Sequence, residues 1–250
     1  MSIPLSIIIL AHKETETFSQ VLASVKWAEE VIVLWSSSAP LKLHKAKVVK
    51  VEFPITDFAA VRNKGLELAR NDWVFFVDSD EVVDPGAEKL LRSLLFVSDL
   101  SGIYIKRKDV FLGKMLKWGE VGNVNLLRIL RKNAGTFIHP VHEVAAVKGL
   151  TFFSDITVQH FAHQSVGGFL EKVIRYSALE AQQRVMVGKK ASVLEMICWP
   201  VGKFLQNYII KFGFLDGWRG VVYAVMMSIH SFAVRALIIE QQDQKKTKAL

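Results

Sequence analysis

The sequence predicts an α/β fold: a mostly parallel central sheet flanked by helices, with a helical appendage at the C-terminus. Three observations carry this. Short apolar, β-branched runs alternate with stretches of helical period through the first hundred residues. The run Asp72-Trp73-Val74-Phe75-Phe76-Val77 is too short for a typical helix and lacks a 3.6 period, as a strand buried on both faces should. From Ser165 onward the chain reads only as helix.

Ile7 to Leu10 is the first expected strand, followed by the polar loop Ala11-His12-Lys13-Glu14. Phe18, Val21, Leu22 and Val25 recur at helical spacing. Val31 to Trp35 is a second strand, closed by three serines, and Val48 to Phe53 a third. Asp57 is placed to cap a helix running to Arg70, with Phe58, Val61, Gly65, Leu68 and Ala69 on its inner face and Arg62 and Asn63 on another. The central strand comes next, and the alternation so far is that of βαβ units with right-handed crossovers. Asp84-Pro85 looks like the cap and first residue of a helix reaching Phe96.

Gly102 to Val110, Val124 to Arg131 and Ile156 to Phe161 then read as strands joined by polar loops. Helices are expected from Ser165 to Val187, from Ser192 to Lys211 with a kink or break at Pro200, and from Gly217 to Ile239. The domain boundaries that follow are a nucleotide-binding and catalytic region over 1–164, a helical, membrane-proximal region over 165–240, and a polar tail over 241–250.

The totals narrow the function. The 250 residues are 51% hydrophobic and carry a net charge of +8. Residues 1–100 hold 11 Lys+Arg against 14 Asp+Glu, and residues 101–250 hold 21 against 10. The basic, apolar half calls for an anionic partner. No nucleic-acid-binding module is recognisable, so an anionic membrane surface or a phosphorylated substrate is the expected partner. Cys198 is the single cysteine, which excludes an intrachain disulfide and a thiolate metal cluster. The first ten residues lack a basic n-region and read as a strand rather than a signal peptide. No apolar run reaches the roughly 18–20 residues of a membrane span; Gly220 to Val234, between Arg219 and Arg235, comes nearest.

The chemistry gathers where the central strand ends, at Asp78-Ser79-Asp80-Glu81. Ligands of open α/β sheets bind just outside the carboxyl ends of strands. Alternate residues of an extended segment point the same way, so Asp78 and Asp80 can converge. Two close carboxylates repel unless a cation or proton intervenes. Mg²⁺ or Mn²⁺ suits such oxygen ligands and shares them with substrate phosphates. An acidic turn capping the next helix would account for Asp84 but not for Asp78 and Asp80.

These residues belong to a longer pattern. His12-Lys13-Glu14 follows the first strand; Arg62-Asn63-Lys64-Gly65 precedes Asp78-Ser79-Asp80-Glu81; Arg128-Ile129-Leu130-Arg131 precedes Val141-His142-Glu143; and Gly213-Phe214-Leu215-Asp216-Gly217 lies near the end. In order and spacing the four resemble family 2 glycosyltransferases of the GT-A fold, a Rossmann-like α/β architecture. The bacterial enzymes of lipopolysaccharide core and related cell-surface glycans are the most similar kind.

The resemblance implies a metal-dependent, inverting transfer of a sugar from a nucleotide-sugar donor, a UDP-sugar first, to a glycolipid or glycan precursor. The implied setting is cytoplasmic, peripheral on the inner face of the cytoplasmic membrane. It implies Glu143 as catalytic base; Glu14, Arg62, Asn63 and Asp78 around the donor, with Asp78 on ribose or metal; and Asp80 with His160 on a divalent metal. Trp35 departs from the family, because it stands where an acid usually binds the nucleotide. It can stack on a base or fill the core, and its place at a strand end favours the core.

Other roles stay open. Glu120 is a rival base or a surface residue. Arg128 and Arg131 grip diphosphate or an anionic acceptor, or are solvated strand-edge charges. His139 with His142, and His160 with His163, have a three-residue spacing that suits loop or strand residues better than structural zinc. Two rivals remain: a sugar nucleotidyltransferase, which would show a Gly-rich basic loop where Ala11-His12-Lys13-Glu14 stands, and a catalytically degenerate relative that only binds at membranes.

Overall fold

The structure, a computed structural model, describes residues 2–248 apart from 44–45, 52–54, 56 and 140–142, with side chains to residue 244. The chain forms two compact units. Unit 1 comprises Met1–Arg107 and Val124–His160; unit 2 comprises Lys108–Asn123 and Phe161–Leu250.

Unit 1 opens with strand β1 (Ile3–Ala11), helix α1 (Glu16–Ser24), β2 (Ala28–Trp35), β3 (Lys47–Lys50), α2 (Phe58–Leu68) and β4 (Trp73–Asp78). These give the parallel half of the sheet, in the order β3-β2-β1-β4. The expected cap forms at Asp57, which accepts the Ala60 amide, and Thr15 caps α1 by accepting the Phe18 amide. The buried run of β4 lies flush with β1, from Leu5 opposite Trp73 to Leu10 opposite Asp78. Phe75 and Phe76 face opposite sides and are fully buried, each contributing roughly 1.5–3 kcal/mol over exposure. Gly65 lets α2 lie close on the sheet, since a Cβ there would come 2.7 Å from a methyl of Ile8.

The chain continues through β5 (Glu81–Val83), α3 (Ala87–Leu94) and β6 (Leu100–Phe111). It then forms β7 (Lys114–Met115), β8 (Val124–Arg131), β9 (Gly135–Ile138), β10 (Val144–Val147) and β11 (Leu150–His163). Beyond β4 the sheet order is β8-β6-β11-β5, with β8 antiparallel to both β4 and β6, and β5 antiparallel to β11. The hairpin β9–β10 is a separate two-stranded ribbon.

Some local expectations are corrected. Asp84 does not cap α3: Pro85-Gly86 make a turn, the helix begins at Ala87, and the Asp84 carboxylate accepts Gln159 Nε2 at 2.9 Å instead. The ribbon and β5 were not anticipated, being too short to show a period. The end of the expected third strand at Phe53 lies outside the described residues.

Unit 2 is built from helices α4 (Val166–Met186), α5 (Val193–Leu205) and α6 (Trp218–Lys248). Ser165 caps α4, and Ser192 with Glu195 forms a capping box on α5. Pro200 sits inside α5 without ending it, and a π-helical turn over Gln206–Ile210 follows. Expected as a shorter apolar run, α6 includes a stretch, Trp218–Gln244, long and apolar enough to cross a membrane by length and composition alone. The Gly-Phe-Leu-Asp-Gly segment forms a 3₁₀ turn whose Asp216 carboxylate accepts the amides of Lys117 and Trp118. Asn207 Oδ1 accepts the Glu120 amide at 3.0 Å. Gly220 must be glycine here, because a Cβ would lie 1.8 Å from the Gly213 carbonyl oxygen.

Candidate active site

The site assembles in unit 1 at the carboxyl end of β4. Asp78 is the last residue of that strand. Its Oδ1 accepts Arg62 Nη2 at 2.8 Å and its Oδ2 accepts Arg128 Nη2 at 2.6 Å. Burial alone would raise the Asp78 carboxyl, but the charges of Arg128 and Arg62 outweigh it and hold the group well below the usual range. Asp78 is therefore a fixed carboxylate.

Arg62 is the hub. It rises from the first turns of α2, 4% exposed, with its guanidinium 5.7 Å from the Phe76 ring centroid and 5.6 Å from that of Phe137. Its Nε donates to Glu143 Oε1 at 2.8 Å. Its Nη1 is buried without a hydrogen-bond partner among the described residues. Arg62 thus joins the end of β4 to the residue that leads into β10. Glu143 is mostly buried, and its neighbours Val141 and His142 lie outside the described residues.

Asn63, expected beside the donor, is engaged with the backbone of β9. Its Oδ1 accepts the Phe137 amide at 2.8 Å and its Nδ2 donates to the Phe137 carbonyl at 3.0 Å. The amide ties β9 to α2, and in doing so it helps fix the strand that precedes Glu143.

Asp80 lies in the turn after β4, partly exposed, with Oδ1 3.7 Å from Nε2 of His160. The pairing of β5 with β11 sets that distance, since Glu81 stands opposite His160 in register. Glu14 is exposed in the loop after β1.

Two members were not assigned a role by sequence. Arg128 was left open beside Arg131, yet the two separate completely. Arg128 is mostly buried between Asp78 and Glu81, at 2.6 and 3.5 Å. Arg131 pairs with Asp72, donates to the Leu100 carbonyl and stacks 4.7 Å from the Trp73 ring, at the other end of β4. A signal existed: residues an odd number apart on a strand face opposite sides. Glu81 is 0% exposed; its Oε2 accepts the Asp78 amide at 3.1 Å, and its Oε1, 3.5 Å from Arg128 Nη2, has no hydrogen-bond partner among the described residues. Burial, with the Asp78 charge adding to it, pushes the Glu81 carboxyl up against the pull of Arg128.

Trp35 is core. It is 2% exposed, donates Nε1 to the Ala39 carbonyl at 2.6 Å and lies 6.4 Å from Phe18. Among the described residues, which leave out His142, no three His, Cys, Asp or Glu are grouped to hold a metal. His163 stacks on Phe169 at 3.6 Å. Glu120, in unit 2, is paired to Lys203 at 2.5 Å and is not a free surface acid.

The family model described as "Glycosyl transferase family 2" matches residues 6–140. The chain is 25% identical over 254 residues to the lipopolysaccharide core biosynthesis glycosyltransferase LpsC of Rhizobium meliloti, covering 94% of each chain. It is 23% identical to a Rickettsia typhi protein described as an uncharacterized glycosyltransferase, covering 91% of this chain and 84% of that one. Among solved structures it is similar to S. aureus TarS 1–349, with a TM-score of 0.48, 13% identity, and coverage of 94% of this chain and 90% of that one.

Proposed function

The chain belongs to glycosyl transferase family 2, and on that premise we propose that it moves a sugar from a nucleotide-sugar donor, a UDP-sugar first, to a hydroxyl of a glycolipid or cell-surface glycan precursor, with inversion. The observation that carries this is the Asp78–Arg62–Glu143 chain, which ties a carboxylate at the donor end of the sheet to a second one suited to accept a proton.

In this scheme the bond from the sugar carbon to the diphosphate breaks as the acceptor oxygen bonds to that carbon. The acceptor proton passes to Glu143, a step typically contributing about 10²–10⁴-fold. One displacement inverts the anomeric centre. Arg62 holds Glu143 through one oxygen and so orients it. Asp78, with both oxygens engaged by arginines, serves as a fixed acceptor for ribose hydroxyls and leaves metal binding to Asp80.

The residues fit a divalent cation. Asp80 Oδ1 and His160 Nε2 are 3.7 Å apart, close enough for one ion to take both. Mg²⁺ and similar ions use one or two protein ligands with substrate phosphates and water, rather than an all-protein cage. When bound, such an ion would neutralise charge on the departing diphosphate. Glu14 would meet the nucleoside from the loop after β1.

The acceptor class follows from the Rhizobium meliloti relative, which is named for lipopolysaccharide core biosynthesis. Burial of Trp35, where an acid usually binds nucleotide, favours a second reading in which the chain binds donors without turning them over. A donor screen that follows released nucleoside diphosphate, with a membrane lipid extract as acceptor, separates the two. Release that needs both acceptor and divalent metal supports transfer. Donor binding by calorimetry that ignores Mn²⁺, with no release from any donor, sinks it.

A further inference from the structure

Unit 2 presents an apolar face that its own core does not use. Along α5 and the turn after it, Leu194, Ile197, Val201, Leu205 and Ile209 recur at three- and four-residue spacing, so they share one side. All five are exposed. On α6, Trp218, Val221, Val225, Ile229 and Phe232 repeat the pattern and are exposed as well. Both helices also carry packed positions, Pro200 being the buried residue of α5. Val234 and Ile238 of α6 bury against Ala181 of α4. Ser228 Oγ donates to the Pro200 carbonyl at 2.8 Å, and the Arg235 guanidinium lies 5.0 Å from the Trp199 ring. A surface helix normally turns polar residues outward, and exposed apolar area of this extent marks an interaction surface.

Charge identifies the occupant. Unit 2 holds 15 Lys+Arg against 8 Asp+Glu, a net of +7, while unit 1 holds 17 against 16. Between Ser192 and Trp218 the acids are Glu195 and Asp216 alone. Glu195 is engaged in the capping box, and Asp216 is buried against backbone amides. Lys189 and Lys190 are exposed just before α5, and Lys211 just after the π turn. An apolar stripe framed by lysines, with Phe212 and Trp218 exposed in the segment that follows it, has the composition of a helix lying in a bilayer interface. There the apolar side sinks to the acyl boundary, aromatic rings sit at headgroup level, and cations meet anionic lipids. A second copy of this chain would bring like charge against like.

We propose that α5 and the turn following it are the membrane-docking surface of this chain, seated on an anionic lipid bilayer. The surface is independent of the sugar-transfer assignment, since none of its residues belongs to the Asp78–Arg62–Glu143 site.

The test is flotation of the full chain with vesicles of phosphatidylcholine, with and without phosphatidylglycerol. The chain floats with the anionic vesicles and remains below with the neutral ones. Ile197→Asp/Val201→Asp, both at exposed positions, keeps its circular dichroism and melting point but partitions about a hundredfold less. Lys189→Glu/Lys190→Glu partitions about tenfold less and loses much of the salt dependence. Undiminished flotation of the aspartate variant overturns the proposal. So does a chain that stays below with both vesicle types, or one that forms a concentration-dependent dimer and does not float, which would make the face an interface between copies.

Discussion

Arg62 and Glu143, 81 residues apart, meet in a hydrogen bond of 2.8 Å from Nε to Oε1. The same guanidinium reaches Asp78 through Nη2, so one buried cation serves two carboxylates on different elements. Arg62→Ala takes that partner from Glu143, leaves Asp78 with Arg128 alone, and should destabilise unit 1 by about 3 kcal/mol. Arg62→Lys keeps the charge but not the fork, and should recover part of the stability with little of the turnover. Urea denaturation beside sugar-transfer assays checks both. Full turnover in Arg62→Lys would refute the orienting role.

Glu143→Gln should bind donor as the parent does and lose about 10²–10⁴ in turnover. Asp80→Ala should be the most damaging change on the donor side, with a raised requirement for Mn²⁺. Calorimetry with donor, read alongside metal titrations of turnover, distinguishes these two kinds of loss. Near-normal turnover in Glu143→Gln would remove that residue from the base role.

Trp35 fills the core, and its substitution should act on stability rather than on the nucleotide. Trp35→Ala should cost about 3–5 kcal/mol, whereas Trp35→Phe should leave donor affinity unchanged. A fall in affinity in Trp35→Phe at unchanged melting temperature would restore the stacking role.

Glu30 supplies a pH dependence away from the site. Burial would raise its carboxyl, but the Arg70 amide and guanidinium together with the Ser6 hydroxyl hold it below its ordinary value of 4.5. A carboxyl depressed by folding stabilises fully above that value and ceases to do so as pH falls through the lower, folded value. Melting temperature should therefore drop below about pH 4.5, and Glu30→Gln should flatten that part of the curve while lowering the plateau.

Asp216 clamps the segment carrying Trp118 and Glu120 by accepting the amides of Lys117 and Trp118. Asp216→Ala strands two amides and should cost about 2 kcal/mol. Limited proteolysis should then cut near residue 117, which the parent chain resists.

The strength of the sequence signal followed the range of the forces involved. The α/β order, β1 through β4, the cap at Asp57, the helix starts at Ser165 and Ser192, and the acids after β4 were all legible, because periodicity and capping are local. The short ribbon β9–β10 was not, because four-residue strands show no period. Asp84 misled because a turn at Pro85-Gly86 competes with capping, and the helix start moved to Ala87.

The sequence by itself determined that this chain is a family 2 glycosyltransferase with an α/β sheet and a cluster of acids after its central strand. Only the tertiary structure decided how those acids are used. It gave Asp78 to two arginines, set Asp80 beside His160, joined Glu143 to Arg62, and spent Asn63 on the backbone of Phe137. It also separated Arg128 from Arg131, which look interchangeable in the chain. The reason is physical: charge pairing depends on distances of a few ångströms, and strand register and helix packing set those between residues far apart in sequence.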